Sequence, residues 1–214
     1  MPLVYLLYRC PRCGQDPLDG EKDEAHCSAC GTRYSRGGEG GLIRVQEASG
    51  RLWEVPGHRL AEVLEGWIAE DSAVSEDPEL PLHESRVEVR QTSRQSTVRL
   101  RGELLGFAEA MGDPFPGTLR LTSTALILWT GTRPKGGSGP GNPSETWPLL
   151  GIGAVQTSSN SLQFSPSGGG LVEFRFPEDS PYRWETLLRT ALRKAYRREN
   201  LGEIIEFQPR IVVE

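Results

Sequence analysis

The sequence predicts a mainly β protein, in which a small cysteine-rich module precedes an antiparallel β-barrel with a capping α-helix. Three observations lead to this fold class. All four cysteines of the 214-residue chain lie between residues 10 and 30. From residue 86 onward, short alternating apolar and polar segments are separated by glycine and proline, which is typical of antiparallel barrels and sandwiches. A later segment, residues 180–198, has apolar residues at helical spacing.

The composition is that of a soluble globular protein, with 36% hydrophobic and 25% charged residues. No apolar run approaches the roughly 20 residues that a membrane-spanning helix needs. The net charge of −5 and the pI of about 5.4 disfavour a whole-chain electrostatic grip on nucleic acid or on an anionic membrane. The first residues, MPLVYLLYR, lack the basic region and cleavage site of a secretory signal. We expect them to form a strand that leads into Cys10.

The cysteines form two C-x-x-C-G motifs, Cys10 with Cys13 and Cys27 with Cys30. Two such turns can wrap one tetrahedral metal ion, because each aims two thiolates inward and its glycine lets backbone N–H groups approach the sulfurs. Clustered thiols without a secretory signal favour metal binding in a reducing compartment over disulfides. We therefore predict one structural metal ion and a cytoplasmic location.

The segments CPRCG and CSACG resemble the knuckles of a zinc ribbon, over roughly residues 5–45. The resemblance implies that the four cysteines hold one Zn²⁺ ion. Four thiolate ligands leave no open coordination position, which disfavours hydrolytic chemistry, and metal binding would supply most of the folding energy of so short a module. Rubredoxin-like iron is the alternative. Zinc is favoured because rubredoxin-like proteins separate their knuckles more widely and surround the iron with aromatic residues.

A helix and an acidic linker are predicted between the two modules. GHRLAEVLEGWIAE carries one apolar stripe at helical spacing, which is expected to pack within the chain; it comprises Leu60, Val63, Leu64, Trp67 and Ile68. The following residues, 71–85, are acidic, contain two prolines and have few apolar side chains, as a linker does. The predicted division is residues 1–48, 49–85 and 86–214.

The C-terminal part predicts several short strands and then a helix. GTLRLTSTALILWTG reads as two strands, and ETWPLLGIGAV, SLQFS and LVEFRF continue the pattern. Ser180 is the predicted N-cap and Pro181 the first helical residue. The apolar stripe of this helix comprises Trp184, Leu187, Leu188, Ala191, Leu192, Ala195 and Tyr196. The glycine-rich residues 135–143 are expected to form a loop, and the apolar end, GEIIEFQPRIVVE, an extended segment laid on one of the domains.

Residues 86–198 resemble the GRAM/pleckstrin-homology (PH) superfold. The matching segments are GTLRLTS, LILW, WPLLGIGAV and LVEFRFPEDSPYRWETLL, whereas the loop over 131–144 is longer than the family's. The resemblance implies a binding module, for phosphoinositide-type lipids in some members and for peptides or other domains in others. Lipid-binding members use basic residues at the mouth of the barrel. The corresponding candidates are Arg90, Arg94, Arg99 and Arg101, and a solvated strand face is the alternative explanation for them. The alternation Arg99-Leu100-Arg101 predicts that both guanidinium groups point outward.

The sequence favours a non-enzymatic function. It has no P-loop, no G-x-S-x-G and no H-E-x-x-H, and its histidines, His26, His58 and His83, are expected in polar or linker positions. We therefore predict an adaptor that binds an unidentified protein. The alternatives are weak binding of anionic lipid by the barrel and binding of nucleic acid by the ribbon. The last is disfavoured, because the ribbon is close to neutral despite Arg9, Arg12, Arg33 and Arg36.

Overall fold

The structure of the chain is a computed structural model. It describes residues 2–38, 41–71, 80–130, 143–158 and 160–201. The centre of the acidic linker, nearly all of the glycine-rich loop and the C-terminal GEIIEFQPRIVVE segment lie outside these ranges. No helix in the described ranges is both long enough and apolar enough to cross a membrane.

The N-terminal part is a four-stranded antiparallel sheet flanked by two helices. Its strands pair in chain order. The elements are α1 (Leu3–Leu6), β1 (Glu24–His26), β2 (Arg33–Arg36), β3 (Leu42–Gln46), β4 (Leu52–Pro56) and α2 (Gly57–Asp71).

The first segment is a helical turn, so the strand expected there is wrong. The backbone N–H of Leu7 donates to the carbonyl of Leu3 at 2.8 Å. Both side chains are fully buried in the N-terminal core. A single turn brings residues four apart onto one face, which lets this segment cover the end of the core without a strand partner.

The N-terminal core includes α2 as well as the sheet. Leu60, Leu64 and Ile68 are buried there, together with Ile43 and Val45 of β3. The predicted stripe of α2 thus packs within the chain, although Val63 is 42% exposed. Strand β4 pairs with β3 over its whole length. Residues 52–71 therefore pack on the cysteine module and do not form a free connection.

The C-terminal part is an antiparallel sheet covered by one long helix, so the mainly β fold with a capping helix is confirmed. The strand order is β10-β11-β12-β5-β7-β8-β9, and β6 pairs with β5 beside this path. A meander that ends in β9 is followed by a three-stranded meander whose last strand, β12, returns to β5. The elements are β5 (His83–Leu100), β6 (Glu103–Met111), β7 (Phe115–Leu121), β8 (Ala125–Thr130), β9 (Glu145–Pro148), β10 (Ile152–Thr157), β11 (Ser161–Pro166), β12 (Val172–Arg175) and α3 (Pro181–Arg198).

Helix α3 begins as the sequence predicts. Ser180 is the N-cap, and its hydroxyl accepts the backbone N–H of Arg183 at 3.1 Å. Its apolar stripe lies in the barrel core, where Trp184 and Leu188 are fully buried. The predicted core position of Trp147 is also confirmed, since its ring contacts that of Phe164 edge-on at 5.2 Å.

Strand β5 is 18 residues long and extends beyond the seven-stranded sheet. From Thr92 to Leu100 it pairs with β6. The two strands are joined by Arg101 and Gly102, whose φ angles of 51° and 90° suit a type I′ turn. We call this element, residues 92–111, the β5–β6 hairpin. It exposes Val98 by 42% and Leu100 by 59%.

Candidate metal centre

The sulfur atoms of all four cysteines lie within 4.8 Å of one another. The Sγ–Sγ distance is 3.7 Å between Cys10 and Cys30 and 3.6 Å between Cys13 and Cys27. A Zn–S bond of about 2.3 Å gives a tetrahedron with edges of about 3.8 Å. The cluster therefore has the dimensions of a site that binds one metal ion through four sulfurs.

The backbone folds in the same way around each cysteine pair. In the first knuckle, residues 10–15, the N–H of Gly14 donates to the carbonyl of Cys10 at 2.9 Å, and the N–H of Cys10 donates to the carbonyl of Gln15 at 2.8 Å. Gly14 has a φ of +74°, a conformation that glycine adopts without strain. The second knuckle, residues 27–32, repeats both bonds at 2.9 Å, from Gly31 to Cys27 and from Cys27 to Thr32.

Two buried hydroxyl groups contact the sulfurs from outside the cluster. The hydroxyl of Tyr34, on β2, lies 3.2 Å from Cys10 Sγ, and Thr32 Oγ1 lies 3.2 Å from Cys30 Sγ. Burial, reinforced by the neighbouring Cys10, raises the pKa of Tyr34 well above its usual value. The phenol therefore stays protonated and can donate to a Cys10 thiolate. Such outer contacts orient metal ligands and tune their basicity.

Cys10, Cys13 and Cys30 differ in acidity when no metal is bound. Burial raises the pKa of Cys10. Burial also opposes ionisation of Cys30, but hydrogen bonds from the side chain and backbone of Thr32 outweigh it and lower the pKa of Cys30 to about 6. For Cys13, the backbone bond of Gln15 lowers the pKa, yet burial and the shared thiol contacts raise it to about 12. Metal binding must therefore release protons, so the affinity for metal falls as the pH falls.

The four candidate arginines of the barrel are spread along one strand and its turn. Arg90 donates to the carbonyl of Gly112 at 3.2 Å and lies 3.8 Å from a carboxylate oxygen of Glu173. Arg94 is exposed, and Arg99, nine residues beyond Arg90, is about 30 Å further along the strand at ~3.3 Å per residue. The four side chains therefore do not converge on one pocket.

Arg101 does not continue the strand as the alternation predicted. It lies in the turn of the β5–β6 hairpin, where its φ is positive. Arg99 donates across this turn to the carbonyl of Gly102 at 3.0 Å. A two-residue turn at this point ends the alternation, because the chain must reverse before Glu103 begins β6.

A partly buried polar cluster around Asp179 was not predicted from the sequence. His83 Nε2 lies 2.7 Å from Asp179 Oδ2, Trp184 Nε1 donates to the same oxygen at 2.9 Å, and Ser85 also donates to it. Burial acts to raise the pKa of Asp179, but the bonds from His83 and Ser85 and the charges of His83 and Arg183 lower it to about 2.

His83 is the first residue of strand β5 in the barrel. The linker position expected for it is therefore wrong. The sequence offers no signal for this pairing, because His83 and Asp179 are 96 residues apart. Ser85 donates to the carboxylate and not to the histidine, which differs from a nucleophile–base pair. The cluster has the geometry of a hydrogen-bonded structural network.

No protein-family model matches the chain, and no curated protein matches its sequence. Solved structures with which it can be superimposed include the N-terminal PH domain of human ARAP2, at a TM-score of 0.33 and 9% identity, covering 59% of this chain and 90% of that one. Another is the PH domain of human oxysterol-binding protein-related protein 11, at a TM-score of 0.29 and 12% identity, covering 65% of this chain and 100% of that one.

Proposed function

We propose that the chain is a non-enzymatic, cytoplasmic adaptor, in which one structural Zn²⁺ ion holds an N-terminal zinc ribbon and a PH/GRAM-like barrel binds another protein. The observation that carries the proposal is the β5–β6 hairpin. An isolated two-stranded hairpin is marginally stable in water, and exposed apolar side chains on such an element are typical of interaction sites. Val98 and Leu100 lie on the part of β5 that extends beyond the main sheet, and both side chains are exposed.

The cysteine cluster supports a structural metal. Four thiolates complete a tetrahedron, so no position is left for a substrate or a reactive water. Zinc and iron both accept such a sulfur set. We assign zinc, with Cys10, Cys13, Cys27 and Cys30 as the ligands, on the knuckle pattern of the zinc ribbon. Elemental analysis of the purified protein tests the choice of metal.

The domain division follows from the two cores. We propose that the ribbon module extends through α2 and that the barrel begins near residue 80, since β4 and α2 pack on the ribbon. Relative to the division at residues 48 and 85, this shortens the connecting segment to the residues between Asp71 and Leu80.

A comparative pull-down from native cytosol tests the adaptor proposal. The wild-type chain and Val63→Ser should capture the same protein in stoichiometric amount, and the double variant Val98→Ser/Leu100→Ser should lose it. Val63 is a matched control because it is as exposed as Val98, 42% in each case, but lies on α2. Capture that is equal in all three proteins, or absent from the wild type, contradicts the proposal.

A second candidate is binding of an anionic lipid surface by the same hairpin. Arg94, Arg99 and Arg101 accompany Val98 and Leu100 on this element, so basic and apolar side chains occur together there, as they do at membrane interfaces. Arg90 is a weaker candidate ligand because it is engaged with Glu173 and Gly112.

Nucleic-acid binding by the ribbon is disfavoured by its ion pairs. Arg12 lies 3.0 Å from a carboxylate oxygen of Glu47, and Arg36 lies 2.7 Å from one of Asp23. A phosphate would have to displace these carboxylates, which lowers the gain from each contact.

A further inference from the structure

Arg183, in the first turn of α3, contacts both ends of the first knuckle. Its Nη2 donates to the carbonyl of Tyr8 at 2.9 Å and also to the carboxylate of Asp16. Tyr8 lies two residues before Cys10, and Asp16 lies three residues after Cys13. One guanidinium of the barrel helix therefore bridges the two chain segments that enter and leave the first pair of metal ligands.

This guanidinium is itself held in place. Its side chain is only 15% exposed, and its Nη1 lies 3.5 Å from a carboxylate oxygen of Asp179. It also sits over the ring of Tyr8, 5.1 Å from the centroid. An arginine that is buried and bonded on several sides has little rotational freedom left, so it can fix the groups it contacts.

Neighbouring bonds dock the start of α3 on the same segment. The Ser180 hydroxyl donates to the carbonyl of Tyr5, and the Tyr5 hydroxyl donates to the carbonyl of Pro177 at 3.2 Å. The first knuckle thus lies next to an interface that joins the ribbon to the barrel.

We propose that Arg183 is a positioning residue of the metal centre, through which docking of α3 raises the metal affinity of the ribbon. The inference rests on the proposed zinc site. A metal-free knuckle must lose conformational entropy to bring two thiolates together, and a bridge between Tyr8 and Asp16 removes part of that entropy beforehand. By linkage, metal binding strengthens the docking of α3 to the same extent.

The test uses the full chain and Co²⁺ as a spectroscopic probe of four-sulfur coordination. Arg183→Met should weaken Co²⁺ binding about 5- to 30-fold, the equivalent of freeing the backbone of about one residue, and Arg183→Lys should fall between it and the wild type. Arg198→Met is the matched control, because Arg198 lies at the other end of α3 and donates to the carbonyl of Ser123 at 3.0 Å. It should bind Co²⁺ as the wild type does.

Two outcomes separate the possible failures. A wild-type chain without four-sulfur Co²⁺ absorption contradicts the zinc site itself. A wild type that binds Co²⁺ normally, with Arg183→Met equal to it, leaves the zinc site standing and overturns the positioning role.

A second variant approaches the contact from the ribbon side. Asp16→Asn should also weaken Co²⁺ binding. Adding this substitution to Arg183→Met should weaken Co²⁺ binding by less than it does in the wild-type chain, because both substitutions remove the same interaction. Fully additive effects overturn the proposal. If Arg183→Met does not fold, as judged by circular dichroism, an unchanged Co²⁺ affinity in Asp16→Asn overturns it instead. Hydrogen exchange provides the reverse readout: the backbone N–H of Trp184 should exchange faster once metal is removed from the wild type.

Discussion

At the scale of single residues, each cysteine of the cluster supplies one of the four sulfurs that the proposed metal site needs. Cys13→Ser should release the metal and unfold the ribbon module, since thiolate ligation and folding of so small a module are one coupled event. The barrel should stay folded because its core is built from other residues. Elemental analysis should give one zinc per wild-type chain and none for the variant. Iron with visible thiolate-to-iron absorption contradicts the zinc assignment.

Trp184 is the central residue of the interface between α3 and the barrel. It is fully buried, stacks on Phe176 with centroids 5.3 Å apart and donates to Asp179. Trp184→Ala should lower the free energy of unfolding by about 3–5 kcal/mol, as expected for deletion of a core aromatic. Urea unfolding measures the change.

Trp184→Phe separates the two contributions of this side chain. It keeps most of the packing and loses the N–H, so it should cost about 1.5–3 kcal/mol, the usual contribution of a hydrogen bond to a charged group. An alanine variant as stable as the wild type shows that α3 packs elsewhere.

The lowered pKa of Asp179 predicts that the stability of the fold depends on pH. Its pKa is about 2 in the folded protein against 3.8 for the free side chain, so the carboxylate stabilises the fold at pH values above about 4 and loses this contribution as the pH falls to about 2. The difference corresponds to about 2 kcal/mol. Asp179→Asn removes the effect. The gap in unfolding free energy between the two proteins should therefore shrink from pH 7 to pH 2, and a gap that is constant with pH contradicts the role of this carboxylate.

At the scale of elements, one hydroxyl group makes two different contacts at the start of α3. Ser180 caps the helix and also donates to Tyr5 of α1. Ser180→Ala should cost about 1–2 kcal/mol, the upper part of the range for an N-cap, because both contacts are lost. Ser49→Ala is the control, since Ser49 donates to nearby Glu47 in an exposed position. Thermal unfolding compares them, and equal stability of the two variants contradicts the double role.

The alternating apolar side chains of β5 are buried in the first part of the strand and exposed in the last part. Val87 and Val89 are buried in the barrel, because β5 is flanked there by β7 and β12. Val98 and Leu100 also alternate with polar residues but are exposed, because this part of the strand pairs with β6 beyond the main sheet. The period of two predicts a strand, whereas its burial depends on what lies above each face.

At the scale of the whole molecule, charge limits binding to membranes. The chain has a net charge of −5, and each basic side chain near an anionic bilayer contributes only about 1 kcal/mol. Three hairpin arginines and two exposed apolar residues should therefore give weak binding to phosphatidylserine vesicles that disappears at physiological salt, where charges are screened beyond about 8 Å. Co-sedimentation measures this. Tight, salt-resistant binding that Arg99→Ala/Arg101→Ala abolishes contradicts the adaptor proposal and supports the lipid one.

Short-range patterns in the sequence were enough to predict several features of the fold. Two C-x-x-C-G motifs predicted the sulfur cluster, since their backbone turns depend only on residues a few positions apart. Ser180 and Pro181 marked the start of α3 for the same reason. The mainly β class followed from alternation and turn residues, which are also local.

Contacts between residues that are distant in the sequence became visible only in the folded chain. The clusters around Asp179 and Arg183 join residues far apart in the chain, 96 positions for His83 and 167 for Asp16, and no local pattern encodes such a contact. The same holds for α1, whose helical turn depends on the core it covers, and for the exposed half of β5. Local spacing sets the conformation of a segment through its own backbone, whereas burial, ion pairing and docking arise only where separate segments pack together.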